Sequence, residues 1–400
     1  MIHNTDLLSN RAEWPLLVEA KRLAPFLASK AEANEAAGQV SQESISAMRD
    51  AGFFSLMVPS EVGGMDSNPV EVLSIVEAMC NIDAATGWVM MAANVATASA
   101  AGFLPDEGFQ ALFGNGRPVV AGAGAPTGKA VVEGDGYRLS GRWSYGSGCL
   151  NSDFIHAGAI VYEDGAPRVL PGTNTPEARI FIFPTKDAEM LGNWDVLGLR
   201  ATGSVDYAVT DLFVPGEFTH LPSEIVGKRG GEGFRIGVVG LSALGHTGFA
   251  LGHGRHVLDE LAKLAQSSGG RDLAGSDAFK QEFAAAEGKL RAARAFCYEV
   301  WNDVLETISQ GEAVALRQFT LIRLALSHAT TVMMENSIFA HRVSGGAGLR
   351  AGWLQRAFRD SLSATQHLVV SDKALRDCGH DLLGFATDMK WTPRGLVNVS

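Results

Sequence analysis

The chain has 400 residues, 46% hydrophobic and 19% charged, enough apolar material for a large buried core spread over two or three packed lobes. Its net charge of −11, with no block of Lys and Arg, argues against sequence-independent binding to nucleic acid, which needs a basic footprint. Four scattered cysteines (Cys80, Cys149, Cys297, Cys378) without a Cys-x-x-Cys pair indicate neither a disulfide framework nor a zinc site, and fit a reducing cytoplasm.

Residues 1–115 read as helical. Helices are expected from Leu8 to Ala31, from Gln42 to Ala51 with Ser41 as N-cap, and from Val70 to Cys80 after Asn68-Pro69. The stretch from Ala84 to Pro105 carries no charge, yet Gly87, Asn94, Thr97, Ser99 and its alanines make it small and semi-polar, so it reads as a helix buried in protein rather than in a membrane. Asn94 is a buried amide that must find a partner, either a backbone group or a ligand in a pocket, and it is the candidate substrate contact.

From Arg117 to Pro215 the pattern changes to short alternating segments divided by turn formers such as Gly134-Asp135-Gly136 and Pro171-Gly172. In "YRLSGRWSY" the residues Tyr137, Leu139, Trp143 and Tyr145 share one face of a strand. A central β domain is therefore expected over residues 116–220. Beyond Gly233 helix formers dominate, giving periodic segments at 235–267, 277–309, 313–344 and 352–378, a four-helix arrangement within residues 221–400. "GGAGL", after "HRVS", reads as a helix ending on glycine.

Several short patterns suggest chemistry without supporting it. "GAGAPTG" precedes strand-like sequence, whereas a phosphate loop must open a helix, and there is no Walker lysine motif. His246, His253 and His256 lack a Cys, Asp or Glu among them, so packing is favoured over metal binding.

Three longer motifs carry more weight together: "GRWSYGSGCLNSDF", "NWDVLGLRATGSVDYAVTDLFVP" and "SGGAGLRAGWLQRAFRDS". In this order and at these distances they resemble the acyl-CoA dehydrogenase superfamily over nearly the whole chain. The resemblance implies an α+β fold: an N-terminal helical domain, a central β-barrel-like domain and a C-terminal four-helix bundle, with a flavin between barrel and bundle. A dehydrogenase of this family usually carries its glutamate base nine residues after the arginine of the Arg-Asp motif; counted from Arg359 that position is Leu368. The alternative location on the first bundle helix has no glutamate between Phe234 and Asp259.

His367, eight residues after Arg359, instead resembles the histidine of two-component flavin-dependent monooxygenases on this fold, such as the oxygenase components of p-hydroxyphenylacetate hydroxylase, steroid-phenol hydroxylases and dibenzothiophene monooxygenase. That likeness implies an enzyme taking reduced flavin (FMN or FAD) from a separate NAD(P)H-flavin reductase and using O2 through a C4a-hydroperoxide to hydroxylate a small aromatic or polycyclic substrate. An acyl-CoA dehydrogenase, or a flavin oxygenase of CoA thioesters, is the alternative. A histidine titrating near its ordinary value would act as base and orienter around neutral pH.

By the same likeness Ser147 reaches the flavin N5 edge and would stabilise the C4a-hydroperoxide, Tyr145 and Gly146 flank the flavin, Trp194 covers one edge of the flavin or the substrate, and Arg271 contacts the cofactor phosphate, while a homotetramer is built around the bundle. The plain alternatives are a turn serine, a packing tryptophan and a solvated arginine.

Overall fold

The computed structural model describes residues 14–172, 174–267 and 273–399. The N-terminal region is helical: α1 (Pro15–Ala37), α2 (Gln42–Ala51), α3 (Pro69–Ile82), α4 (Ala84–Phe103) and α5 (Asp106–Phe113). Local caps account for several boundaries. Ser41 accepts from the amide of Ser44 at the start of α2. Asn68 and Glu71 form a capping box before α3, and the Asp83 carboxylate accepts from the amide and hydroxyl of Thr86 to open α4. The first helix, described from Pro15, runs six residues past Ala31, to end on Gly38 in the left-handed conformation; its expected start at Leu8 lies outside the described residues.

Nearly every residue of α4 is buried in protein, as its small side chains allow. Asn94 resolves its own alternative: Oδ1 accepts from Leu56 N at 3.1 Å, while Nδ2 donates to Phe53 O at 2.6 Å and Met90 O at 2.9 Å. The amide is spent on backbone. Contrary to the expectation of a substrate contact, Asn94 ties the 53–56 turn to α4.

The strands follow: β1 (Val120–Glu133), β2 (Gly136–Trp143), β3 (Phe154–Glu163), β4 (Ala166–Pro167), β5 (Ala178–Pro184), β6 (Glu189–Met190), β7 (Tyr207–Pro215) and β8 (Thr219–His220). They form one sheet in the order β6-β7-β2-β1-β3-β5-β8, with β4 on β3; β1 and β3 run parallel and the other pairs antiparallel. Trp143 and Tyr207 stack at its centre, and Trp143 Nε1 donates to Gly158 O at 2.7 Å. Leu139 and Trp143 are buried as the period of two requires. Tyr145 is not: β2 ends at Trp143, and Tyr145 has φ 64° with 72% of its surface exposed.

The last part contains α6 (Gly237–Gln266), α7 (Asp277–Ser309), α8 (Leu316–Ser344), α9 (Gly346–Leu349), α10 (Trp353–Ala364), α11 (Asp372–Leu382) and a hairpin of β9 (Met389–Thr392) with β10 (Gly395–Asn398). Helix α6 docks on α3 through glycines: a Cβ on Gly252 would lie 2.1 Å from Glu77 O.

One expectation needs correcting. The segment 352–378 is not one helix. Beyond Ala364 the backbone bonds shorten, with Gln366 N donating to Ser363 O and His367 N to Ala364 O. The chain then turns extended at His367 (φ −72°, ψ 137°) before a single 3-10 turn, Leu368–Val370. Two adjacent β-branched valines lower helix propensity there, and Ser371-Asp372 starts α11 afresh. His367 therefore stands at a break, not on a helix face.

Candidate active site

The break turns His367 toward the N-terminal region. Its ring lies 4.0 Å from that of His246 on α6, tilted by 32°, and 6.0 Å from Trp88 on α4, edge to face. Trp88 is also edge-on to His246 at 5.2 Å and to Phe249 at 5.0 Å. From its other side Trp88 Nε1 donates to Ser147 Oγ at 3.1 Å. Trp88 thus joins the two residues of the sequence pattern, Ser147 and His367, which are 220 positions apart in the chain.

Hydroxyl groups extend this line through the β domain. Ser147 Oγ is 2.7 Å from Ser204 Oγ, which is 2.7 Å from Thr202 Oγ1, which donates to Leu199 O at 2.8 Å. A carbonyl only accepts, so the direction of the whole chain is set: Trp88 N–H to Ser147, Ser147 O–H to Ser204, Ser204 O–H to Thr202, and Thr202 O–H to Leu199. Leu199 O also accepts from Trp194 Nε1 at 3.3 Å, and Leu199 N donates to Asp360 Oδ1 at 2.5 Å. Leu199 sits at φ 54°, an uncommon conformation for a leucine, held by these bonds.

Its neighbour Gly198 is there because a Cβ would lie 2.1 Å from Arg359 O. Arg359 Nη1 donates to Leu197 O at 2.8 Å, and its Nη2 pairs with Glu35 of α1. The Arg-Asp pair is thus the clasp between the 194–199 loop and α10.

These contacts revise two expectations. The Ser147 hydroxyl does not point its proton outward; it donates to Ser204, and its amide donates to Tyr145 O at 2.8 Å. Gly146 is buried beneath the loop, where its amide donates to Val205 O at 3.1 Å and a Cβ would meet that oxygen at 2.9 Å. Both residues shape the loop from within. Tyr145 and Trp194 do lie together, rings 6.2 Å apart and edge to face, with Tyr145 and Leu197 exposed at the seam of barrel and bundle. Arg271 falls outside the described residues.

The histidines differ from free imidazole. Burial first, then the charges of His246 and Arg323, hold His367 well below 6.5, and burial pushes His246 down to about 4. Both are neutral at physiological pH, so His367 is not a base poised near neutrality. Their partners assign the tautomers. His246 Nδ1 faces Ser242 O at 2.8 Å, so it carries the proton, and buried Nε2 is left as an unpartnered acceptor. His367 Nδ1 accepts from Val369 N at 3.4 Å, so its proton sits on Nε2. One ring offers an acceptor and the other a donor. A group such as a phenol hydroxyl, donor and acceptor at once, suits that pair.

No sequence pattern marked His246 for this role, nor Trp88, Ser204 and Thr202; only their burial and mutual distances reveal them. Among the described residues no three His, Cys, Asp or Glu side chains gather as a metal site; His253 and His256 stack on each other at 6.2 Å instead.

Comparison with known proteins places this geometry. The N-terminal domain model of acyl-CoA dehydrogenases matches residues 20–103 and the C-terminal domain model residues 244–372, which includes Trp88, His246 and His367. The chain belongs to the acyl-CoA dehydrogenase family. Within that family its relatives are oxygenases. It is 28% identical to indole-3-acetate monooxygenase of Acinetobacter baumannii over 85% of this chain and 86% of that one. It is 25% identical to the oxygenase component of the FADH(2)-dependent resorcinol hydroxylase of Rhizobium sp., over 96% and 98%. The 3-HSA hydroxylase of Rhodococcus sp. RHA1 has the same fold, with a TM-score of 0.85 at 23% identity over 94% of this chain and 98% of that one.

An acyl-CoA dehydrogenase fold implies a flavin, and the seam suits one. Tyr145, Trp194 and Leu197 form an aromatic and apolar rim above a loop in which the Gly146 and Ser147 amides and the Ser147 hydroxyl already donate within the protein. A flat ring system can cover such a rim without stranding any of them.

Proposed function

We propose that the chain is the oxygenase component of a flavin-dependent monooxygenase that hydroxylates a small aromatic substrate. The observation that carries this is the His246–His367 pair under Trp88: two neutral imidazoles of opposite tautomer stand where a dehydrogenase would need a carboxylate, and Leu368 beside them is half-exposed. The charges that act on the two rings are those of Arg323 and, on His367, of His246, not of a carboxylate. Abstraction of a thioester α-proton has no base here.

Tyr145, Trp194 and the 146–148 loop would hold the flavin. Reduced flavin, when bound, supplies the electrons that activate O2 for transfer of one oxygen atom. In this reading His246 Nε2 accepts a hydrogen bond from a ring hydroxyl or ring N–H, His367 Nε2–H donates to the substrate heteroatom, and Trp88, Phe249 and the apolar walls exclude water. The bond to His246 polarises the ring hydroxyl and orients the ring without removing its proton, as fits an imidazole that burial holds down to about 4. FMN and FAD both suit the open rim, and a separate reductase would supply them reduced. A homotetramer in a reducing cytoplasm completes the proposal; the exposed Leu382, Leu383 and Phe385 and four unpaired buried cysteines support it.

The test is to load the protein anaerobically with reduced FMN or FAD, add indole-3-acetate or resorcinol, admit labelled O2 and follow incorporation by mass spectrometry. One labelled oxygen per product is expected, with His246→Ala and His367→Ala each slower by about a hundredfold. Bleaching of oxidised flavin by an acyl-CoA, with no labelled product, would replace this reading by dehydrogenation.

A further inference from the structure

Helix α8 contributes a residue that the hydroxylation scheme does not use. Arg323 is 1% exposed, and neither its Nε nor its Nη1 has a hydrogen-bond partner. Its guanidinium lies over the Trp391 ring at 5.4 Å, a contact worth roughly 0.5–2 kcal/mol. That does not offset the several kcal/mol that an unpaired buried cation costs.

The acids in the neighbourhood are engaged elsewhere. Asp377 pairs with Lys373 and accepts from Leu396 N at 2.9 Å, and Asp381 pairs with Arg317 at 2.7 Å. Burial accordingly lowers the pKa of the guanidinium itself. Yet Arg323 is electrostatically linked to the site: its charge disfavours protonation of both His246 and His367, and α8 packs against the 368–370 turn. A cation held dry, with open N–H groups, on a helix packed against the turn that follows His367, is a counter-charge waiting for an anion.

We infer that Arg323 is an anion subsite of the substrate pocket, binding the carboxylate of an aromatic acid whose ring is presented to His246 and His367. This rests on the oxygenase reading for the identity of the pocket, but not for the anion preference itself. The planar guanidinium takes a carboxylate through two parallel N–H bonds, and binding would supply both orphan donors with acceptors. Neutral phenols of the same size would lack the anchor.

Calorimetric titration separates the two. Indole-3-acetate, phenylacetate and benzoate are compared with their neutral amides at constant ionic strength, with flavin-free protein and with protein loaded anaerobically with reduced FMN. At least one acid is expected to bind on the order of 30-fold or more tighter than its amide, the discrimination of a buried charge that loses its partner. Arg323→Met should abolish that ratio and Arg323→Lys should retain part of it.

Thermal melting adds an independent readout on the unaltered protein, which the preferred acid should stabilise and its amide should not. Equal binding of acids and amides, binding of none of them, or an undiminished ratio in a folded Arg323→Met overturns the inference. If oxygen is never incorporated but the anion preference stands, the oxygenase reading fails and the subsite survives.

Discussion

Ser147 illustrates how far a single side chain depends on its surroundings. Its motif marks it as a site residue, and in the structure it is the second link of a hydroxyl chain running from Trp88 to Leu199. Ser147→Ala would leave the Trp88 N–H without its acceptor and the Ser204 hydroxyl without its donor. A loss of about 1–3 kcal/mol is expected, readable as a lowered urea midpoint at unchanged m-value. An unchanged midpoint would mean the chain of hydroxyls contributes nothing. The motif "NWDVLGLRATGSVDYAVTDLFVP" contains Ser204 and Thr202 but gives neither a role; their roles depend on where residue 147 and residue 88 arrive. Asn94 taught the reverse lesson, since a buried amide in an apolar helix finds backbone before it finds a ligand.

At the scale of elements, the decisive features are a clasp and a break. Gly198 allows the 194–199 loop to lie directly on α10, and Asp360 reaches back to Leu199 N. Gly198→Ala places a methyl group within 2.1 Å of a carbonyl oxygen, which must displace the loop. The expected result is a folded protein, by unchanged far-UV circular dichroism, that binds reduced flavin at least about tenfold more weakly as Trp194 moves with the loop. Binding at the original strength would show that the loop tolerates the shift. The helices at 277–309 and around 237–266 were legible to within a residue or two because their periodicity is long, and the first is also capped by Ser276. The break at His367 was not. Helical periodicity persists across it, and the competing 3-10 bonds and valine pair are local effects too weak to read without the fold.

For the whole molecule, the histidines set the response to acid. Burial holds His156 and His246 down to about 4, His220 and His253 down to about 3, and lowers His256 and His367 as well. A histidine that folds neutral and unfolds with an ordinary value near 6.5 contributes stability that is complete above 6.5. That contribution falls as pH drops toward the folded value, by about 1.4 kcal/mol per pH unit for each. Asp360 opposes them. Burial first, against the bond from Leu199 N, pushes it up to about 7, so between 3.8 and 7 the folded state holds its proton and gains as pH falls. One acid offsets one histidine. Stability measured by urea unfolding should therefore be level near pH 7.5 and drop steeply between about pH 6.5 and 5. A flat profile over that interval would show that the histidines are hydrated rather than dry.

Alternation and capping residues were enough, as sequence alone, to give the order helices, sheet, helices, and the three spaced motifs gave the family, with Leu368 at the position where a dehydrogenase carries its glutamate. These are local or one-dimensional properties, written in periods of two and 3.6 and in spacing along the chain. Only the tertiary structure decided what His367 is: an imidazole at a helix break, kept neutral by burial and by Arg323, tilted against His246 and joined through Trp88 to Ser147. Desolvation and hydrogen-bond direction belong to a place in space, and that place is assembled from α4, α6, α8 and the barrel loop, segments separated in the chain by tens to hundreds of residues.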